Sequence, residues 1–235
     1  MELFYSASLE KATTRHELIG PEAVHINKVF RKKEGDHILV TNGKGMGWEA
    51  EITATQRNSI TISCVKEIFQ PPLKYSLHLA LAPTKSKDRM EWLLEKATEI
   101  GVTQITPLLC QYSERKHIKL DRWTKILISA AKQSQRFYLP QINPMQDFTS
   151  FIASQRPVLL AHCQEGEKTA LVRTTLQTDY TICIGPEGDF SCKEIALALS
   201  AGGQAISLGD ARYRTETAGI IACHTIALRH QVSHL

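Results

Sequence analysis

The sequence predicts two domains: a small antiparallel β-module over residues 1–70, then an α/β domain over residues 73–235 built on a largely parallel sheet. Three observations predict it. Residues 36–66 alternate apolar and polar side chains in three runs separated by short turns. Gln70-Pro71-Pro72 breaks that pattern, and beyond it short apolar runs alternate with stretches of helical periodicity.

Within the module, HILVT, WEAEITAT and SITISCVK read as strands, with Ile60, Ile62 and Cys64 facing one way and Thr61, Ser63 and Val65 the other. The intervening Asn42-Gly43-Lys44-Gly45-Met46-Gly47 has the glycine content of a phosphate loop. It lacks G-K-[ST] and opens no helix, so a hairpin turn is the reading it supports. The paired prolines at 71 and 72 fix φ and remove two backbone donors, which marks a boundary.

After the boundary, YSLHLALA (75–82) reads as a buried strand. DRMEWLLEKATEI places Met90, Leu93, Leu94, Ala97 and Ile100 at helical spacing, ITPLL (105–109) is a strand, and DRWTKILISAAKQS carries Trp123, Ile126, Leu127, Ala130 and Ala131 on one face. VLLAH (158–162), YTICI (180–184) and AISL (205–208) are three further strands, followed by the loops AHCQEGE, GPEGDFS and GDARYRTE. Parallel sheets bind ligands beyond the C-terminal ends of their strands, so the chemistry is expected in these three loops.

Composition narrows the class. Hydrophobic residues make up 43% and charged residues 22% of the chain, as in an ordinary globular protein. No apolar run reaches the ~18–20 residues of a membrane span, and the N-terminus has no signal-peptide pattern; no membrane partner is expected. Six cysteines without a C-x-x-C pair fit reduced thiols and a cytoplasmic location. The nine histidines, His224, His230 and His234 among them, make no H-E-x-x-H and no zinc spacing with cysteine, so no metal is expected. Net charge is +4, but residues 85–136 hold eleven Lys and Arg against six Asp and Glu, while residues 1–72 balance at nine each. That local excess can steer a polyanion such as RNA, and it is also what solvated helix faces look like.

Two late motifs carry more. In Ile184-Gly185-Pro186-Glu187-Gly188-Asp189-Phe190-Ser191 a strand runs into a glycine turn and then into the capping box Ser191-Cys192-Lys193-Glu194. Such a turn exposes main chain to a ligand, although a well-capped loop needs none. In LGDARYRTETAG (208–219), Thr215 or Thr217 can cap a helix continuing through Ala218, Ile221, Ala222, Thr225 and Ile226, with Glu216 well placed in its first turn. Arg212 and Arg214 stand where the helix dipole disfavours cations. They serve either a ligand or a salt bridge to Glu187, Asp189 or Asp210.

IGPEGDFS followed by LGDARYRTETA resembles the paired C-terminal signatures of the methyltransferases that modify uridine N3 in 16S rRNA, members of the SPOUT superfamily. KVFRKKEGD resembles the basic turn of that family's N-terminal β-barrel, and EWLLEKATEIGVTQITPL its first catalytic-domain helix and strand. AAKQSQRFYLPQI resembles its Gln-Ser…Arg segment. The chain departs from the pattern at Asp189, where a glycine is usual, at Lys132-Gln133-Ser134-Gln135-Arg136, where Glu-Gln-Ser-Gly-Arg is usual, and at Tyr213, where leucine is common.

The resemblance implies a PUA-like β-barrel followed by a SPOUT α/β domain with a C-terminal trefoil knot, and S-adenosylmethionine as cofactor. Carried over by motif, cofactor contacts fall on Leu160, His162, Ile184, Gly185, Glu187, Gly188, Leu208, Gly209 and Tyr213. Arg214, Glu187 and Arg136 are the implied catalytic residues. Arg31, Lys32, Lys33, Lys85, Lys87, Arg115, Lys116 and Arg136 are the implied RNA contacts. The implied partners are 16S rRNA or the small ribosomal subunit and a second copy of the chain, the apolar stripe from Ala218 to Ile226 serving either that homodimer or the chain's own core. A ribose 2′-O RNA methyltransferase and a non-catalytic RNA-binding protein are the alternatives.

Overall fold

The computed structural model describes residues 1–154 and 157–233, in two compact units: Met1–Pro72 with Ile128–Leu139, and Leu73–Leu127 with the chain from Pro140 onward. The segment 128–139 thus groups with the first unit, although it follows most of a helix in sequence.

The first unit contains β1 (Leu3–Tyr5), β2 (Arg15–Ile19), α1 (Pro21–Lys28), β3 (His37–Thr41), β4 (Met46–Thr55) and β5 (Ser59–Phe69). The strands form one sheet in the order β1-β3-β4-β5-β2. β1 runs parallel to β3 and the other pairs are antiparallel, so the sheet is mixed where the sequence predicted antiparallel strands alone. The parallel partner is the three-residue β1, too short for alternation to reveal. The period-two pattern buries Ile38, Val40, Trp48, Ile52, Ile60 and Ile62 against Phe4, Leu18 and Ile26. Residues 42–45 form the β3–β4 turn, and Gly45 sits at φ 92°, where an added Cβ would run into the Tyr138 ring.

The second unit runs β6 (Ser76–Leu81), α2 (Lys87–Ile100), β7 (Gln104–Leu109), α3 (Leu120–Gln133), β8 (Gln141–Ile142), β9 (Gln146–Asp147), α4 (Phe148–Ser154), β10 (Leu159–Ala161), β11 (Thr169–Ala170), β12 (Asp179–Ile184), α5 (Cys192–Ser200), β13 (Gln204–Ser207) and α6 (Thr215–Val232). α3 continues past Leu127 into the segment grouped with the first unit. The strands form a sheet in the order β11-β13-β10-β12-β6-β7-β8, with β9 also on β7, and every pair is parallel. Leu77 to Leu81 are all buried, as expected of a central strand covered on both faces. One face packs against α2, the start of α3 and α6 through Leu79, Met90, Leu93, Trp123, Ala222 and Ile226; the other packs against α4 and α5 through Phe148, Phe151, Phe190 and Ile195.

Helix ends follow the local sequence. Ser86 caps α2 by accepting the Arg89 N–H, Gly101 ends it in a left-handed conformation, and Ser191 with Glu194 forms the complete capping box of α5. The expectation for α6 is overturned. Its N-cap is Arg214, with no side-chain cap, and the Thr215 hydroxyl instead donates to the Gly185 carbonyl at 2.9 Å. Gly219 lets α6 approach α2 closely, since a Cβ there would lie 2.6 Å from Leu93 Cδ1. The predicted stripe on α6 divides: Ala218, Ala222 and Ile226 enter the chain's own core, while Ile221 and Thr225 stay half-buried and His224, Leu228 and Val232 are exposed. Among the described residues no helix is long and apolar enough to cross a membrane.

Candidate functional site

The loops after β10, β12 and β13 and the loop between β6 and α2 enclose a cavity of about 930 Å³. It opens beyond the C-terminal ends of the parallel strands, as strand direction requires. Ile184, Ile206, Leu208 and Ala218 supply apolar wall, and Gly185 and Gly209 bring main chain to the surface.

The loop after β12 is fixed by hydrogen bonds on every side. Glu187 Oε1 accepts the Lys85 N–H at 2.9 Å, tying this loop to the start of α2. Arg115 donates to the Lys85 carbonyl, and Lys85 Nζ lies 3.1 Å from Glu114, so that peptide is held from two directions. Asp189 occupies φ 66°, a left-handed position that explains why glycine would be favoured there. Its carboxylate offsets that strain by accepting the N–H groups of Cys163 and Phe190, both at 2.8 Å, which joins the β10 and β12 loops. Below them the buried Glu194 accepts from Ser191 N, Ser191 Oγ and Gln111 N, each at 2.8 Å.

The loop after β13 differs. Asp210, Arg212, Tyr213 and Arg214 line the cavity and are exposed. Among the described residues no ion pair joins Arg212 or Arg214 to Glu187, Asp189 or Asp210, so the salt-bridge use of these arginines is not made. His162 is half-buried in the cavity wall, and its Nδ1 has no hydrogen-bond partner. Burial, reinforced by Lys168 and opposed by Asp189 and the Gln164 backbone, holds its pKa below the usual histidine value. The wall thus holds a neutral ring whose buried Nδ1 the fold leaves unused.

The cavity brings together His162, Ile184, Gly185, Glu187, Leu208, Gly209, Tyr213 and Arg214 from the predicted set. Leu160 is wholly buried in the core beneath α4 and α5, and Gly188 is exposed against Tyr112, outside the cavity wall. Of the predicted RNA contacts, Lys85, Lys87 and Lys116 are exposed in the second unit and Arg115 is half-buried. Arg31, Lys32, Lys33 and Arg136 belong to the first unit: Arg31 and Lys33 are exposed, Lys32 pairs with Glu2 at 3.4 Å, and the Arg136 N–H bonds the Ala131 carbonyl. His224 is exposed, His230 is buried against Tyr75 and Tyr180, and His234 lies outside the described residues. Sequence reasoning did not reach Arg89, which lines the cavity 3.7 Å from Glu216. The available signal was its position, three residues after the α2 cap.

Known proteins are similar to this chain in sequence and fold. Residues 71–227 match the RNA methyltransferase domain family, and residues 18–63 match the RNA methyltransferase PUA domain family. The ribosomal RNA small subunit methyltransferase E of Rickettsia conorii is 30% identical over 218 residues, covering 90% of this chain and 89% of its own. Among solved structures, one from Porphyromonas gingivalis, described as a probable rRNA-methyltransferase, is 35% identical with a TM-score of 0.91, covering 99% of this chain and 100% of its own. The ribosomal RNA small subunit methyltransferase E of Neisseria gonorrhoeae, crystallised with S-adenosyl methionine, is 26% identical with a TM-score of 0.83, over 95% of each chain. An open cavity at the ends of parallel strands and matches along nearly the whole sequence agree: the chain belongs to the ribosomal RNA small subunit methyltransferase E family.

Proposed function

We propose that this protein methylates N3 of a uridine in 16S rRNA of the small ribosomal subunit, with S-adenosylmethionine as the methyl donor. The residues present fit that donor: the cavity offers apolar wall, exposed main chain from three loops and the orphaned His162 Nδ1. When bound, the donor supplies an electrophilic methyl group on a sulfonium. His162, Ile184, Gly185, Leu208, Gly209 and Tyr213 hold it. Glu187, committed through Oε1 to the Lys85 N–H, keeps the wall in place.

The observation that carries the reading is Arg214, a cation at a helix N-cap, lining the cavity and, among the described residues, paired with no carboxylate. Its position costs helix stability. Uracil N3 becomes nucleophilic as its proton leaves, and negative charge then spreads onto the flanking carbonyl oxygens. A guanidinium fixed beside them lowers that barrier, and being permanently protonated it acts by charge and hydrogen bonding alone. N3 lies on the Watson–Crick edge, so the base must be unpaired or flipped. Lys85, Lys87, Arg115 and Lys116, with Arg31, Lys32, Lys33 and Arg136 of the first unit, are assigned to the RNA, chiefly its phosphates.

The same reading includes a C-terminal trefoil knot, supported by the sheet order in which β13 lies between β10 and β11 and by the Thr215–Gly185 bond. It includes a cytoplasmic homodimer, supported by the apolar Ile221, Leu228 and Val232 on the outer side of α6. The test is to incubate purified protein with labelled donor and undermodified small subunits, digest the RNA and identify the product by mass spectrometry. 3-Methyluridine is expected. A ribose methyl, or no transfer despite RNA binding, would replace this reading.

A further inference from the structure

Resting on that reading, we infer that Glu216, flanked by Arg89 and Arg214, is the group that recognises the N3–H of the target base and receives its proton. The Glu216 side chain is only 9% exposed, yet it lines the cavity. Among the described residues its charged partner is Arg89, whose Nε stands 3.7 Å away, beyond hydrogen-bond range, and no hydrogen bond to its carboxylate is made. Three other carboxylates around the site have their donors: Glu187 takes Lys85, Asp189 takes Cys163 and Phe190, and Glu194 takes Ser191 and Gln111. The carboxylate oxygens stay open to the cavity, where a ligand can supply the missing donor.

Uracil supplies it. Its Watson–Crick edge reads acceptor, donor, acceptor through O2, N3–H and O4. The wall offers the complement: a carboxylate that only accepts, with two guanidinium groups that only donate, Arg89 across from it and Arg214 two residues before it. Cytosine, whose N3 is an acceptor, would set a lone pair against the carboxylate. Glu216 therefore selects uracil by the same contact that activates it. As N3 bonds to the methyl carbon, the N3–H proton passes to the carboxylate and the carbon–sulfur electron pair stays on sulfur. The protonated Glu216 then releases its proton to water. Arg89 is a positioning residue in this scheme, keeping the carboxylate turned to the cavity.

The test compares wild type with Glu216→Gln, Glu216→Asp and Arg89→Gln, each first checked for an unchanged melting temperature. Expected for Glu216→Gln is a fall of at least ~100-fold in kcat, donor affinity by calorimetry within about twofold of wild type, and a residual rate that climbs with pH as uracil ionises unaided. Glu216→Asp recovers part of the rate, and Arg89→Gln loses less than Glu216→Gln. A second readout needs no turnover: RNA carrying the target uridine should bind wild type about tenfold more tightly than the same RNA with cytidine there, and Glu216→Gln should lose that preference. If donor affinity collapses in Glu216→Gln while kcat at saturation holds, the carboxylate serves the donor and the inference fails. Unchanged kcat and unchanged uridine preference also overturn it. A wild type that prefers uridine but transfers no methyl group removes the proposed function and leaves this recognition role standing.

Discussion

The loops after β12 and β13 leave neighbouring parts of one sheet and line one cavity, but they spend their polar groups in opposite ways. Around 185–194, Glu187, Asp189, Ser191 and Glu194 each hold a partner within the protein. Around 208–216, Asp210, Arg212 and Arg214 face the cavity without ion pairs among the described residues, and Glu216 is approached by Arg89 at 3.7 Å. The first loop is finished by folding and can hold a cofactor in one shape. The second keeps its charges unspent by folding, and on the proposed reading a substrate completes it.

The sharpest way to break that contrast is Arg214→Ala. Transfer should fall by about 10²–10³-fold in kcat while donor binding by calorimetry changes less than about threefold, because the cation acts on charge that develops during reaction. Retained turnover would show that the exposed loop is not catalytic. Next comes the sheet from which both loops leave. His78 on β6, buried with Nε2 2.7 Å from Thr106 Oγ1, is pushed by burial down to about 4. An unfolded histidine titrates near 6.5, so between about 6.5 and 4 the unfolded chain binds a proton that the folded one refuses. Stability is complete above that window and declines through it by roughly 3 kcal/mol, a slope that denaturant titrations should find missing in His78→Asn.

A smaller effect is expected in the finished loop. Asp189→Ala removes two acceptors and leaves a β-carbon at φ 66°, costing about 2–3 kcal/mol in stability and weakening donor binding about tenfold. Asp189→Gly should recover about 1 kcal/mol of that by relieving the backbone alone, and Asp189→Asn more, by keeping an acceptor. Smallest is Arg212→Ala. With no ion pair among the described residues, its loss should move the melting temperature by less than about 1 °C and show only as weaker, less salt-sensitive RNA binding.

What could be read in the sequence follows from the range of each interaction. The core strands were legible because Ile60 and Ile62, or Leu77 to Leu81, announce burial through side-chain pattern alone. α1 was not anticipated, although Gly20 before Pro21 is a helix-start signal; its eight residues bury only Ala23 and Ile26. Thr215 looked like a cap by local rules and was drawn away by a carbonyl thirty residues distant. The site was legible to the same degree. Glycine turns located the cavity loops and the helix dipole flagged Arg214, but the Arg89–Glu216 approach spans 127 positions, and no spacing rule reaches that far. Tertiary closure brings the pair together, and sequence carries it only as two ordinary charges on two helices.

The placement of β13 has a consequence for how the molecule is made. The last strand of the sheet inserts between β10 and β11, so a nascent chain halted before Gln204 presents two unsatisfied strand edges and no ligand cavity. Acquisition of the donor is thereby deferred until β13 has been made, and the interval before that is when chaperones have most to protect.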